Sequence, residues 1–304
     1  MMSAPLLTAS ELERLRLQTL DHWHRQVRRS SLVHSGPLPS LFRGHGLDIY
    51  DRRPYQPGDD IRHLDWRATA RSGRPLTRVF LEERGRSLFL IVDRRPPMHY
   101  GSRREPKAAS AARVAAILAF TALAAGERVG ALLLEEKGRL FPASGRRSAI
   151  AHMLEGAAAP LQTGLRDAAS LRTLWPEIVR SCAPGTDLCL ISDFHDLDEY
   201  PPPVLHALNA RSTVHAFQVR DAAEEVLPRA GLLRVRARGG TCLVDSDDPG
   251  LQRRYAQARR HHHDLLARRL ADAAIPLHLV YNHEDTFRQL KESVVHAGAP
   301  HTTP

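Results

Sequence analysis

Hydrophobic positions follow three different patterns along the chain. Leu12, Leu15, Leu17, Leu20 and Trp23 recur at roughly helical spacing, which predicts an N-terminal helix. Ser10 is its expected cap, with Glu13 at the capping-box position, and the turn-rich SGPLPS ends it. Residues 36–86 show little period and are rich in Gly, Pro, Arg and Asp. They nevertheless hold Tyr50, Tyr55, Trp66 and Phe80. A flexible linker would not carry so many aromatics, so an ordered excursion with short strands such as TRVFLEE is expected.

From Ser87 the apolar positions fall into continuous runs. SLFLIVD, RVGALLLEE, TDLCLISDFHD, STVHAFQV and PLHLVYN read as strands, the first and third as buried parallel strands ending in carboxylates. Helical patterns separate them: about Pro106 to Ala125 with Gly126 at its end, GRRSAIAHMLEGAAA, LRDAASLRTLWPEIVRSC, and PPVLHALNA. GRLFPA can pair with RVGALLLEE, and GLLRVRARGGTCLVDS reads as a hairpin turned at Gly239-Gly240. Leu251 to Leu270 predicts a helix with Leu251, Tyr255, Ala258, Leu265 and Leu266 on one face. Strands alternating with helices imply βαβ units, hence an α/β fold with a doubly wound, mostly parallel sheet. Ligands of such sheets lie beyond the carboxyl ends of the strands, where Asp93 and Asp193 are expected. The organisation read from the pattern is an N-terminal helix (1–35), a motif-bearing segment (36–86), the α/β domain (87–295) and a frayed tail (296–304).

Composition narrows the class. With 42% hydrophobic and 25% charged residues in 304, a soluble globular protein with a sizeable core is expected. Three cysteines (Cys182, Cys189, Cys242) form neither a disulfide framework nor a zinc spacing. Cys189, inside DLCLIS, reads as a small hydrophobe. The longest apolar stretch, Val114 to Ala125, is too short to span a bilayer, and no basic region precedes an apolar run at the N-terminus. A cytoplasmic protein without a membrane span is therefore expected. The net charge of +9 is spread along the whole chain, and only 6% of residues are aromatic, which argues against stacking on nucleic acid.

Candidate chemistry concentrates in Tyr55 to Gly73, YQPGDDIRHLDWRATARSG. Asp59, Asp60 and Asp65 could serve a metal-dependent hydrolase acting on nucleic acid. The plainer reading is a turn at PGDD, ion pairs among Asp65, Arg62 and Arg67, and Trp66 as a buried anchor. No nucleophile with a base can be assembled, and no phosphate-cradling glycine loop is present in the sequence. His261, His262 and His263 are consecutive, so on a helix they diverge and cannot share one ion; a partly exposed polar face is expected there.

GLDIYDRRPYQPGDDIRHLDWRATARSGRPLTRVFLEE closely resembles the bacterial Domain of Unknown Function 58 family. The resemblance rests on Pro57-Gly58-Asp59-Asp60, Asp65-Trp66 and Arg67-Ala68-Thr69-Ala70-Arg71, and is close over about residues 43–101. It implies a von Willebrand factor A-like domain with the motif segment placed before its first strand. It also implies a non-enzymatic adaptor acting with a MoxR-type AAA+ ATPase and that enzyme's client protein. Many relatives carry N-terminal membrane helices, which this sequence lacks. The residues expected to order the segment or meet a partner are Asp59, Asp60, Arg62, Asp65, Trp66, Arg67 and Arg71. Domains of this type often hold a Mg²⁺-type cation through Asp-x-Ser-x-Ser, a Thr and a later Asp. Here Asp93, Thr163 and Asp193 stand at those places, but both serine positions are taken by Arg95 and Pro97. A degenerate site with no resident cofactor is therefore expected, with Asp93 and Asp193 paired to Arg94 or Arg95.

Overall fold

The computed structural model describes residues 4–32, 51–54, 66–79, 87–135, 137–161, 170–237 and 240–296. Helix α1 (Ala9–Leu32) opens the chain. Thr8, not Ser10, caps it: the Glu11 amide donates to Thr8 Oγ1 at 3.2 Å, and the Thr8 amide donates to Glu11 Oε2 at 2.8 Å. Both residue pairs satisfy the same capping rule, so the sequence offered two adjacent starts, and the earlier one lengthens the helix. Leu15 is buried against α3 (Lys107–Ala124), whereas Leu17 points away and is exposed.

Strands β1 (Asp51–Pro54) and β2 (Leu76–Val79) pair antiparallel, with α2 (Trp66–Ser72) between them in sequence. The Leu76 amide donates to Thr69 Oγ1 at 3.0 Å, tying α2 to β2. Residues 80–83 of the expected TRVFLEE strand lie outside the described residues, as does the tail from 297.

The main sheet has six strands: β3 (Ser87–Asp93), β4 (Arg128–Leu134), β5 (Arg139–Ser144), β6 (Asp187–Ser192), β7 (Thr213–Arg220) and β10 (Leu277–Tyr281). Their order is β10-β7-β6-β3-β4-β5, all parallel except β5, which folds back on β4 as the expected hairpin. The order reverses at β3, so the carboxyl ends of β3 and β6 flank the switch point where doubly wound sheets bind ligands. Gly130 lies at the irregularity between β4 and β5; a Cβ there would sit 2.9 Å from the Ala143 nitrogen.

One face of the sheet packs Leu88, Leu90 and Val92 against α3 and α4 (Arg147–Ala158). The other packs Phe89 and Ile91 against α5 (Leu171–Ser181), α6 (Pro202–Asn209) and α8 (Pro249–Asp272). Alternation on β3 feeds both layers, which is why its sequence is apolar throughout. Helix α3 extends the apolar run to 18 residues, long and apolar enough by those two measures to cross a bilayer; 78% of it is buried inside the fold. On α8 the buried positions are His263, Leu266 and Leu270, while Leu265 is exposed, one position off the expected face. The short α7 (Ala222–Glu225), the hairpin β8 (Leu232–Ala237) with β9 (Gly240–Asp245), and α9 (Thr286–His296) complete the chain.

Candidate functional site at the carboxyl edge of the sheet

Two aspartates reach this edge from neighbouring strands, and each holds its own buried cation. Asp93 ends β3. Arg95 Nε donates to its Oδ1 at 3.0 Å and Arg95 Nη2 to its Oδ2 at 2.8 Å, a bidentate fork. The Arg95 amide adds a bond to Oδ1 at 3.0 Å, and Ser192 Oγ, at the end of β6, donates to Oδ2 at 2.7 Å. Arg95 Nη1 then donates to Glu199 Oε2 at 3.1 Å. Glu199 also accepts from Ser170 Oγ at 2.8 Å and from the Leu171 amide, so it caps the first turn of α5. Burial works against the Arg95 charge, but the bonds to Asp93 and its charge raise the guanidinium above its ordinary range.

Asp193 pairs with neither Arg94 nor Arg95. Lys107, 1% exposed at the first position of α3, donates to Asp193 Oδ2 at 2.7 Å and also binds Glu224. Burial opposes charge on both partners, yet their attraction prevails: Asp193 is held below the usual carboxylate range and Lys107 above the usual amine range. The loop before α3 delivers this lysine. The Lys107 amide donates to the Tyr100 carbonyl at 2.9 Å, and a Cβ on Gly101 would lie 2.1 Å from the Glu105 oxygen. Asp193 is set by a strained turn, with Phe194 at φ 53°. His262 Nε2 donates to the Phe194 carbonyl at 3.0 Å, and Gln218 Nε2 to the Asp193 carbonyl at 3.3 Å.

Arg94 turns the other way. Its Nε donates to Glu135 Oε1 at 2.8 Å, its Nη2 to the Ala159 carbonyl at 2.9 Å, and its Nη1 to the Ala157 carbonyl. It thus satisfies the carboxyl end of α4, where a cation also suits the helix dipole. Burial lowers its proton affinity, partly offset by Glu135.

A Mg²⁺-type ion needs several oxygen ligands around an open centre. Both Asp93 oxygens are already engaged, Asp193 is held by an ammonium, and two fixed positive charges adjoin the place. The residues present do not fit a divalent cation, and Thr163 lies outside the described residues. Among the described residues, no three His, Cys, Asp or Glu side chains group as a metal cluster. Burial also pushes the Cys182 thiol up to about 11 and Cys189 well above its ordinary value, away from nucleophilic use.

Of the motif residues, Asp59, Asp60, Arg62 and Asp65 lie outside the described residues. Trp66, Arg67 and Arg71 lie on α2. Trp66 is 66% exposed, so it is not the buried anchor that its size suggested. Along the histidine run, expected as a partly exposed polar face, His261 points outward, His262 is half-buried and holds the Phe194 turn, and His263 is buried beside Gln218. Sequence reasoning passed over Lys107, Ser192, Glu199 and Glu224. Lys107 carried a signal, being one of three lysines in an arginine-rich chain and placed at the head of an alanine-rich helix. A separate apolar concavity of about 710 Å³ lies between α1, α3 and α4, lined by Leu7, Leu12, Leu20, Phe120, Ile150 and Leu154.

The family profile described as "Protein of unknown function DUF58" matches residues 51–265, which includes β1, α2 and most of the sheet. The chain belongs to the DUF58 family. It is similar to the Mycobacterium tuberculosis protein Rv1480 and the Mycobacterium bovis protein Mb1516, at 31% identity over 268 residues, covering 86% of this chain and 82% of each relative. Solved structures similar to this DUF58 chain include BatB from Bacteroides thetaiotaomicron, with TM-score 0.44, 15% identity, and coverage of 70% of this chain and 98% of that one. A von Willebrand factor type A protein from Catenulispora acidiphila is similar at TM-score 0.37 and 10% identity, covering 73% of this chain and 43% of that one.

Proposed function

We propose that this DUF58 chain is a non-enzymatic interaction protein of the cytoplasm, an adaptor that works with a MoxR-type AAA+ ATPase in complex assembly or chaperone-like activation. The observation that carries the reading is the carboxyl edge. The place where a doubly wound sheet takes a ligand is filled by the chain's own Arg95 and Lys107. A site closed by internal ion pairs serves to hold loops in place. The ATPase partner follows from the DUF58 resemblance and from nothing at the edge itself.

The test is co-expression of the tagged chain with the MoxR-type ATPase encoded in the same genome, followed by affinity capture and an ATP-hydrolysis assay. Capture of the ATPase with a changed hydrolysis rate is expected. Failure to capture it, together with cleavage of nucleic acid on adding Mg²⁺ or Mn²⁺, would replace this reading with a hydrolase.

A further inference from the structure

Apolar surface is left uncovered in the concavity between α1, α3 and α4. Its volume of about 710 Å³ falls within the range of small-molecule sites, about 300 to 1,000 Å³. Leu12 and Leu20 of α1, Phe120 and Leu123 of α3, and Ile150 and Leu154 of α4 form its walls. Leu12, Leu20 and Leu123 are only half-buried, so a ligand lying there would take apolar area out of water.

The two ends of the concavity differ. Pro5 and Leu7 line one end, where the Leu6 amide donates to the Ala158 carbonyl at 2.8 Å. The chain entering α1 is thereby tied to the last residue of α4 and closes that end. Arg147, the first residue of α4, lines the other. The 12 residues of α4 set the two ends about 17 Å apart. Charge distinguishes the ends further. Of the charged side chains in the lining, Arg16 and Glu13 neutralise each other, Nε to Oε2 at 2.8 Å and Nη2 to Oε1 at 2.6 Å. Glu155 is exposed, two turns along α4 from Arg147, with His152 Nδ1 4.0 Å from its Oε2. Arg147 has no ion-pair partner among the described residues. The N-cap residue Arg146 makes no side-chain bond to the first amides of α4, so the positive end of that helix adds to the attraction for an anion there. A partner helix laid along the groove would run into the closed end. An apolar wedge with one cationic mouth suits a single chain with an anionic head.

We infer that this concavity binds a free fatty acid of medium chain length, with its carboxylate at Arg147 and its alkyl chain running between α1 and α4 toward Leu7. Burial of the chain supplies affinity, and the guanidinium fixes its direction. The inference goes beyond the adaptor reading and is tested without any partner protein.

The experiment is isothermal titration of the full chain with laurate, kept below its micelle-forming concentration. One laurate should bind per chain. Decanoate should bind about tenfold more weakly, as the loss of two buried methylenes requires. Dodecyltrimethylammonium, with a similar chain and a cationic head, should not bind. Arg147→Glu should weaken laurate binding by about tenfold or more. Ala151→Trp, which fills the groove from an exposed position on α4, should abolish it. Thermal unfolding of both variants without ligand should match wild type, because both side chains are exposed. No saturable binding of laurate, equal binding of the cationic amphiphile, equal affinity for decanoate, or unchanged binding in either variant overturns the inference. Capture of the chain by vesicles of anionic phospholipid, with no uptake of free laurate, also overturns it and names a membrane surface instead.

Discussion

Asp93 and Arg95 act as one unit, because each is buried and each satisfies the other's charge. Removing one partner of such a pair leaves an unpaired buried charge, which costs roughly 3–5 kcal/mol. Arg95→Ala should therefore lower stability in urea by about that amount. Arg95→Lys should recover only part of it, since an ammonium cannot make the fork to both oxygens. The double variant Asp93→Ala/Arg95→Ala should lose less than the sum of the singles; strict additivity would show that the pair is not coupled. The Asp93–Arg95 contact was legible in the Asp-Arg-Arg run because the partners are two residues apart. Lys107 and Asp193 are 86 residues apart, and nothing local in the chain announces that pairing. Histidines give a second prediction at this scale. Burial pushes His263 and His278 down to about 4 from 6.5. The folded state then disfavours protons that the unfolded chain binds, so this stability is complete above about 6.5 and is lost as pH falls toward about 4. Each ring contributes on the order of 1–3 kcal/mol across that window. Equilibrium unfolding at stepped pH should show the decline, and His278→Phe, already stacked on Phe217, should make it shallower.

At the scale of elements, helix ends are where the chain commits polar side chains. Thr8 and Glu11 start α1, Glu199 starts α5, and Arg94 finishes α4. Arg94→Leu should free buried carbonyls of α4 and lower stability by about 2–3 kcal/mol, a charged hydrogen-bonding group being lost without replacement. A change below about 0.5 kcal/mol would show that water can take over those carbonyls. Strands β3, β4, β6 and β7 were readable from their apolar runs, because a two-faced core leaves little polar alternation to confuse the pattern, whereas β5 is largely exposed and was legible only as the hairpin partner of β4. Errors came where patterns shift by one or two residues. Ser10 with Glu13 reads as the cap, although Thr8 with Glu11 fits the same box two residues earlier, and Leu265 and Leu266 differ by one position on a helix whose inner face includes a histidine. Trp66 shows a different limit: size alone suggested burial, and the indole on α2 is exposed.

For the whole molecule, the sequence pointed to α/β alternation but not to the order β10-β7-β6-β3-β4-β5, which depends on crossovers that no local period encodes. That order brings β3 and β6 side by side and so gathers Asp93, Ser192 and Asp193 at one edge. The central claim is that this edge is closed by tethered cations, Arg95 on Asp93 and Lys107 on Asp193. Isothermal titration of the wild-type chain with magnesium chloride tests it most directly. No saturable heat of binding is expected, and the thermal midpoint should be the same in magnesium and in EDTA. Saturable binding at micromolar affinity that disappears in Asp93→Ala would contradict the account.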